Sequence, residues 1–307
     1  VYILDPLSDF ARFEEYLWNN KPLSYFHKSI TNELPSESYL ELASLYYDFN
    51  NSDMAISVLK EGPENPIINV WLAYLDVDHR QSYINKIIES SIEMTFPHRV
   101  ETAQFLEILI KEYASWKLKY YLGLIYWHKG EIDRAMNLFD QCQKEPKTAT
   151  FYLTKHALLQ DAGIREKENL QIAHSMEPED WRAGIALIDH YLLNNEGLKA
   201  VGLSEKLKDL YPENAQIGIR YAEALLKVEK PHEALIFLEH FNLLPFEGST
   251  EGKKIYNNVC IQLALKSFKM KDYQEAITYA KKAKLWPENL GVGKPYHTDD
   301  RLADLII

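Results

Sequence analysis

The stretch Trp116–Pro146, WKLKYYLGLIYWHKGEIDRAMNLFDQCQKEP, decides the fold. Leu122, Gly123 and Tyr126 mark one face of a helix, Gly130 punctuates, Ala135 and Phe139 mark the face of a second helix, and Pro146 stops it. Each residue type has a physical reason. Gly123 and Ala135 are small where the two helices cross, and Leu122, Tyr126 and Phe139 fill the space around that contact. Such a hairpin leaves one apolar face open, so neighbours stacked on both sides must complete the core.

Copies of the pattern run outward from this centre. Towards the N-terminus, residues 36–66 place Tyr39, Leu42, Ala43 and Tyr46 on one helix and Ala55, Val58 and Leu59 on the next, across the polar turn Asn50-Asn51-Ser52-Asp53. Residues 67–112 depart from the pattern and read as degenerate helical units, with Pro97 between two of them. Ahead of these, Ser8 or Asp9 caps an entry helix carrying Phe10, Phe13, Tyr16 and Leu17. Towards the C-terminus, residues 150–176 form a shortened copy with Gly163 at the turn and Glu168 at the position of the small crossing residue. Hairpins over 181–212 and 215–245 follow, and their Ala200 and Ala234 are one period of about 34 residues apart. A polar loop is expected over Glu247–Lys253, then a last hairpin over 257–287 with Leu263, Ala264, Ala276 and Ala283. The expected organisation is entry helices over 1–35, a repeat array over 36–287, and a capping tail over 288–307, with Trp286 at the end of the array and Leu290 and Tyr296 of the tail expected to shield the last hairpin.

Composition narrows the partners. A formal net charge of −11 opposes a phosphate backbone or an anionic bilayer, and no run of about 18 apolar residues is present to span a membrane. Nucleic acid and membrane are therefore excluded as expected partners. Cys142 and Cys260, the only cysteines, provide neither a disulfide framework nor a metal knuckle, and a reducing compartment such as the cytoplasm suits them. The chain opens at Val1 without a methionine, which is expected of a processed product or a piece of something longer.

The L-G-x2-Y, A-x3-F, P succession of Leu122, Gly123, Tyr126, Ala135, Phe139 and Pro146 resembles the tetratricopeptide repeat. The resemblance implies an all-α fold, a right-handed α-solenoid of helical hairpins, and a non-enzymatic scaffold that binds protein through a concave groove. The ends, DPLSDFARFE from Asp5 and WPENLGVGKPY from Trp286, resemble segments of large bacterial proteins in which a β-rich domain of unknown function precedes a tetratricopeptide half. That resemblance implies an alternative role as the auxiliary C-terminal half of a carbohydrate-active enzyme whose catalytic domain lies upstream. The partner is then another protein or the parent chain's own N-terminal domain, with end-to-end stacking into a homo-oligomer as a further option.

No constellation points to catalysis, a metal or a cofactor. Gly291-Val292-Gly293-Lys294 lacks the first glycine of a phosphate loop, where Glu288 stands, and Pro295 replaces the hydroxyl that would hold magnesium. The ten histidines lack the i, i+4 spacing of a helical zinc site. The lysine–asparagine clamp by which some tetratricopeptide scaffolds hold a peptide carboxylate is replaced by Leu40/Ser44, Tyr120/Leu124, Ile185/Asp189 and Ile219/Glu223. The resemblance instead assigns the groove to the first helix of each hairpin. Lys117, Tyr120, Leu124 and Trp127 come from the central repeat, Leu153 from the next, and Arg182, Ile185 and Asp189 from the one after, with Tyr120 and Trp127 as candidate aromatic anchors.

Overall fold

A computed structural model of the chain describes residues 8–19, 26–28, 30, 32–244, 250–291 and 299–307. It is built of α-helices, and among the described residues the extended pairing is a single parallel bridge between Leu243 and Leu290. The helices form an α-solenoid type of array in two compact units, Val1–Arg165 and Glu166–Ile307.

The repeat is written into the backbone as a recurring turn. Asn50, Gly130, Gly163, Asn195, Glu229 and Lys271 all have positive φ, between 50° and 80°. Each follows a first helix. In each case the next amide reaches back five residues: Asn51 N–H donates to the Tyr46 carbonyl (2.9 Å), Glu131 to Tyr126 (2.8 Å), Ile164 to Leu159 (2.8 Å), Glu196 to Tyr191 (2.8 Å), Lys230 to Leu225 (2.9 Å) and Asp272 to Ser267 (3.0 Å). This left-handed helix stop satisfies carbonyls that would otherwise be orphaned, and it turns the chain within two residues. Residues 66–112 lack it. Their helices Pro66–Leu75 and Arg80–Glu89 are joined by a 3-10 turn at Val77–His79, and Val100–Glu112 stands without a second helix of its own.

In the first unit the entry helix Asp9–Trp18 is capped as expected, with the Ser8 hydroxyl accepting from Ala11 N–H at 3.4 Å. Pro35–Asp48 pairs with Ser52–Lys60, and Trp116–His128 pairs with Ile132–Gln141. The crossing of the second pair is as the sequence reads: a Cβ on Gly123 would lie 2.8 Å from the Phe139 ring, and Phe139 and Ala135 are fully buried. The stretch 67–112 is well packed rather than loose. Val100–Glu112 lies against both Pro66–Leu75 and Trp116–His128, and buried Trp71 meets Phe105 edge-on (ring centroids 5.0 Å) while its indole N–H donates to Thr102 Oγ1 at 2.8 Å.

In the second unit, Trp181–Leu193 pairs with Gly197–Leu210, Ala215–Lys227 with Pro231–His240, and Glu251–Lys269 with Tyr273–Ala283. Ala200, Ala234 and Ala276 are buried at the crossings. Glu168 opens the helix Glu168–Met176 and is exposed; the small buried residue there is Ala173.

The expected loop over Glu247–Lys253 is corrected at its C-terminal end. The last hairpin's first helix begins at Glu251, and Lys253 is buried in its first turn. Its ammonium donates to the Ala283 carbonyl (2.6 Å) and to that of Leu285, while Asn257 Nδ2 donates to Ala283 at 2.9 Å. Together they close the C-terminus of Tyr273–Ala283, where the helix dipole also favours a cation. Replacing Lys253 by Met keeps the aliphatic stem and removes these donors, so the protein should lose about 1–2 kcal/mol in a urea titration. Leu290 of the expected tail is buried beside Leu243 and Gly252, and Trp286 lies under the Lys253 ammonium at 5.4 Å. Trp286 and Leu290 therefore pack at the entrance of the last hairpin. Tyr296 and Val292–Lys294 lie outside the described residues.

Candidate functional site

The first helices of the second unit's hairpins lie side by side, Trp181–Leu193 against Ala215–Lys227 and Ala215–Lys227 against Glu251–Lys269. Measured from the crossing alanines, Ile185, Ile219 and Ile261 occupy one row, Asp189, Glu223 and Leu265 the next, and Leu192, Leu226 and Phe268 a third. The isoleucines are buried and form the floor. Above them, Leu265 and Phe268 are 46% and 50% exposed, a large apolar area left in water on a helix face that elsewhere packs. A groove of about 440 Å³ opens between Ala215–Lys227 and Glu251–Lys269, lined by Ile219, Arg220, Glu223, Leu226, Ile255 and Asn258 among others.

The charges along this groove are unequally matched. Arg220 forms a two-pronged pair with Asp189, Nε to Oδ1 at 3.0 Å and Nη2 to Oδ2 at 3.4 Å. Glu223 makes no hydrogen bond or ion pair among the described residues, although it is half-buried. Burial pushes its carboxyl above the ordinary range; Arg220 pulls it back, and Asp189 and Glu251 add to the rise. The first unit offers a contrast. Its cavity of about 340 Å³ between Val100–Glu112, Trp116–His128 and Ile132–Gln141 contains Glu107, but there Arg134 Nη2 donates to Glu107 at 3.2 Å and the guanidinium stacks 3.7 Å over the Tyr126 ring.

The eight residues expected to line one groove fall in the two units, five in Val1–Arg165 and three in Glu166–Ile307. Tyr120 is 3% exposed, packed among Phe139, Phe151 and Trp116, with its hydroxyl 3.4 Å from Thr154 Oγ1. It is core, which removes it as an anchor. Lys117 is half-buried and turned to the end of Arg80–Glu89, donating to the carbonyls of Ile88 (2.5 Å) and Ser90; burial lowers its pKa. That ammonium holds a helix end. Leu124, Trp127 and Leu153 are half-buried, and the Trp127 indole N–H donates to Asp161 Oδ2 at 2.8 Å. Ile185 is buried floor, Asp189 holds Arg220, and Arg182 is exposed, 3.6 Å from Asp180. Period reasoning reached Asp189 but passed over Arg220, Leu265 and Phe268. The offset from the crossing alanine, applied to the last hairpin, would have found the last two.

Residues 117–146 match the family model described as Tetratricopeptide repeat. The chain carries a tetratricopeptide repeat. No protein of curated function matches it. Solved structures similar to this chain include the C-terminal part of a TPR repeat-containing protein from Cytophaga hutchinsonii, 15% identical over 79% of this chain and 93% of that one, with a TM-score of 0.47. YrrB, described as a TPR protein with an unusual peptide-binding site, is 13% identical over 77% and 94%, with a TM-score of 0.38. Human IFIT1, solved as a dimer with PPP-AAAA, is 15% identical over 90% and 67%, with a TM-score of 0.40.

The two thiols are inert by position. Cys142 and Cys260 are fully buried, and burial pushes their pKa values up to about 12 and about 11, far from the thiolate that nucleophilic chemistry needs. Among the described residues no group of three His, Cys, Asp or Glu side chains has metal-holding geometry, and no helix is long and apolar enough to cross a membrane.

Proposed function

We propose that the protein is a non-enzymatic binding scaffold and that the first-helix face of its second unit holds a peptide segment of a partner protein. The observation that carries this reading is the juxtaposition on one rigid face of a buried isoleucine floor, an exposed Leu265–Phe268 shelf and the groove beside Glu223. Exposed apolar side chains backed by packed helices lose little conformational entropy when a ligand covers them, which is how such surfaces gain affinity. A row of alternating polar and apolar positions suits an extended segment that also offers backbone hydrogen-bonding groups. In the first unit, the half-buried Leu124, Trp127 and Leu153 are proposed as a second contact set on the corresponding helix face.

A peptide array probed with the full chain tests the reading. Binding should survive Ile236→Asp, which alters a residue 63% exposed on a second helix, and should fall at least tenfold with Leu265→Asp/Phe268→Asp. Both variants should keep the wild-type melting temperature. Loss of binding in the Ile236 variant alone would move the site to the other face.

A further inference from the structure

Glu223 is the group in the second unit's groove whose chemistry is unfinished. Arg220, three residues back on the same helix, is the cation whose charge acts on it, yet both Nε and Nη2 of that guanidinium are directed to Asp189. We infer that the Glu223 carboxylate is a subsite for a cationic side chain, a lysine or an arginine, on a peptide whose adjacent large apolar side chain lies along Leu226, Leu265 and Phe268. This rests on the peptide-binding reading above and adds the chemical class of the ligand to it.

A half-buried carboxylate without a partner is destabilising, because it has surrendered part of its hydration and received no hydrogen bond in return. A ligand ammonium or guanidinium restores what the fold leaves out, and a charge-assisted bond in a partly dry groove is stronger than one in water. The other charges facing Glu223 decide the sign. Asp189 comes from Trp181–Leu193, Arg220 and Lys227 from its own helix, and Glu251 and Lys254 from Glu251–Lys269. The half-buried charges, Asp189, Arg220 and Glu223, sum to one negative charge; the exposed rim, Lys227, Glu251 and Lys254, sums to one positive charge. Rim charges are screened by salt and contribute little, so the floor sets the preference. An anionic ligand would meet Glu223 directly, with Arg220 already committed.

The apolar half of the subsite is on the same face. Leu226 is half-buried one turn beyond Glu223, and Leu265 and Phe268 follow on the neighbouring helix, with the Phe268 ring 5.4 Å from Tyr273. A lysine or arginine stem laid over these side chains buries its methylenes while its head reaches the carboxylate.

The test uses the full chain and four fluorescein-labelled seven-residue peptides with blocked ends, alanine throughout except for a central Lys-Leu, Arg-Leu, Gln-Leu or Glu-Leu pair. Anisotropy titrations of the wild type should rank the Lys and Arg peptides at least about tenfold tighter than the Gln and Glu peptides. Glu223→Gln should reduce that preference to about twofold or less while melting at or above the wild-type temperature, since it removes an unpaired buried charge. A lower melting temperature with the preference intact would show Glu223 to be structural and overturn the inference. Equal binding of all four peptides, or tighter binding of the Glu peptide, also overturns it while leaving the groove reading standing. No binding by any of the four, together with no array binding sensitive to Leu265 and Phe268, would remove the groove reading itself.

Discussion

Replacing Trp71 by Ala should be the most damaging single truncation in the first unit, lowering stability by about 4–6 kcal/mol and the melting midpoint by roughly 10 °C or more. Trp71 is fully buried in the stretch where the helical repeat is broken, between Tyr47 (ring centroids 6.1 Å) and Phe105 (5.0 Å). Truncation leaves a cavity of most of an indole and strips the donor from Thr102, itself 1% exposed, so the transfer and cavity terms are joined by an unsatisfied hydroxyl. Because Val100–Glu112 is held on one side by this contact, its docking on Pro66–Leu75 should loosen first. Trp18 provides the control. It is 83% exposed, and its replacement by Ala should cost no more than about 0.5 kcal/mol. Thermal melts followed by circular dichroism compare the two directly.

The second large effect runs against helix propensity. Ala is intrinsically better than Gly inside a helix by about 1 kcal/mol, yet Gly218→Ala should destabilise by about 2–3 kcal/mol net. A Cβ at Gly218 would lie 2.1 Å from Phe241 Cζ and 2.5 and 2.6 Å from the adjoining ring carbons, so the whole ring must move. That ring is stacked on Phe237 at 4.9 Å and buried in the core shared by Ala222, Leu238, Leu243 and Val259, which leaves it nowhere to go. Gly202 gives the opposite sign. A Cβ there meets nothing within 4 Å, and Gly202→Ala should gain up to about 1 kcal/mol. Urea midpoints for the two variants, and partial recovery of Gly218→Ala by Phe241→Leu, check the steric account.

These contacts also show what the sequence could and could not convey. Gly123 opposite Phe139, and the alanines Ala200, Ala234 and Ala276, were legible because a helix crossing imposes a size limit at one position per helix and the limit repeats with the period. Gly252 and Lys253 were not. A glycine beside a polar run reads as loop, whereas here glycine is needed because Leu243 Cδ1 and the Leu290 carbonyl approach within 2.4 and 2.9 Å of a Cβ, and Lys253 is buried because carbonyls about 30 residues later receive its ammonium. Neither partner has a local signal. Tyr120 failed in a similar way. The helical period says which side of a helix a residue occupies, but Phe139 and Phe151, brought in from two other helices, decide whether that side is covered. The groove around Glu223 was half legible, since the first-helix offsets pick out Ile185 and Asp189, while the pairing that consumes Arg220 and leaves Glu223 alone is a matter of side-chain direction.

The central claim, that the first-helix face of the second unit is the binding surface, is tested most directly by methyl NMR of the full chain labelled at isoleucine and leucine, titrated with the tightest peptide from the array. Shifts are expected at Ile219, Leu226, Ile261 and Leu265, and none at Leu198 and Ile236, which lie 80% and 63% exposed on the second helices. Shifts at Leu198 and Ile236 with the four groove methyls unmoved would contradict it.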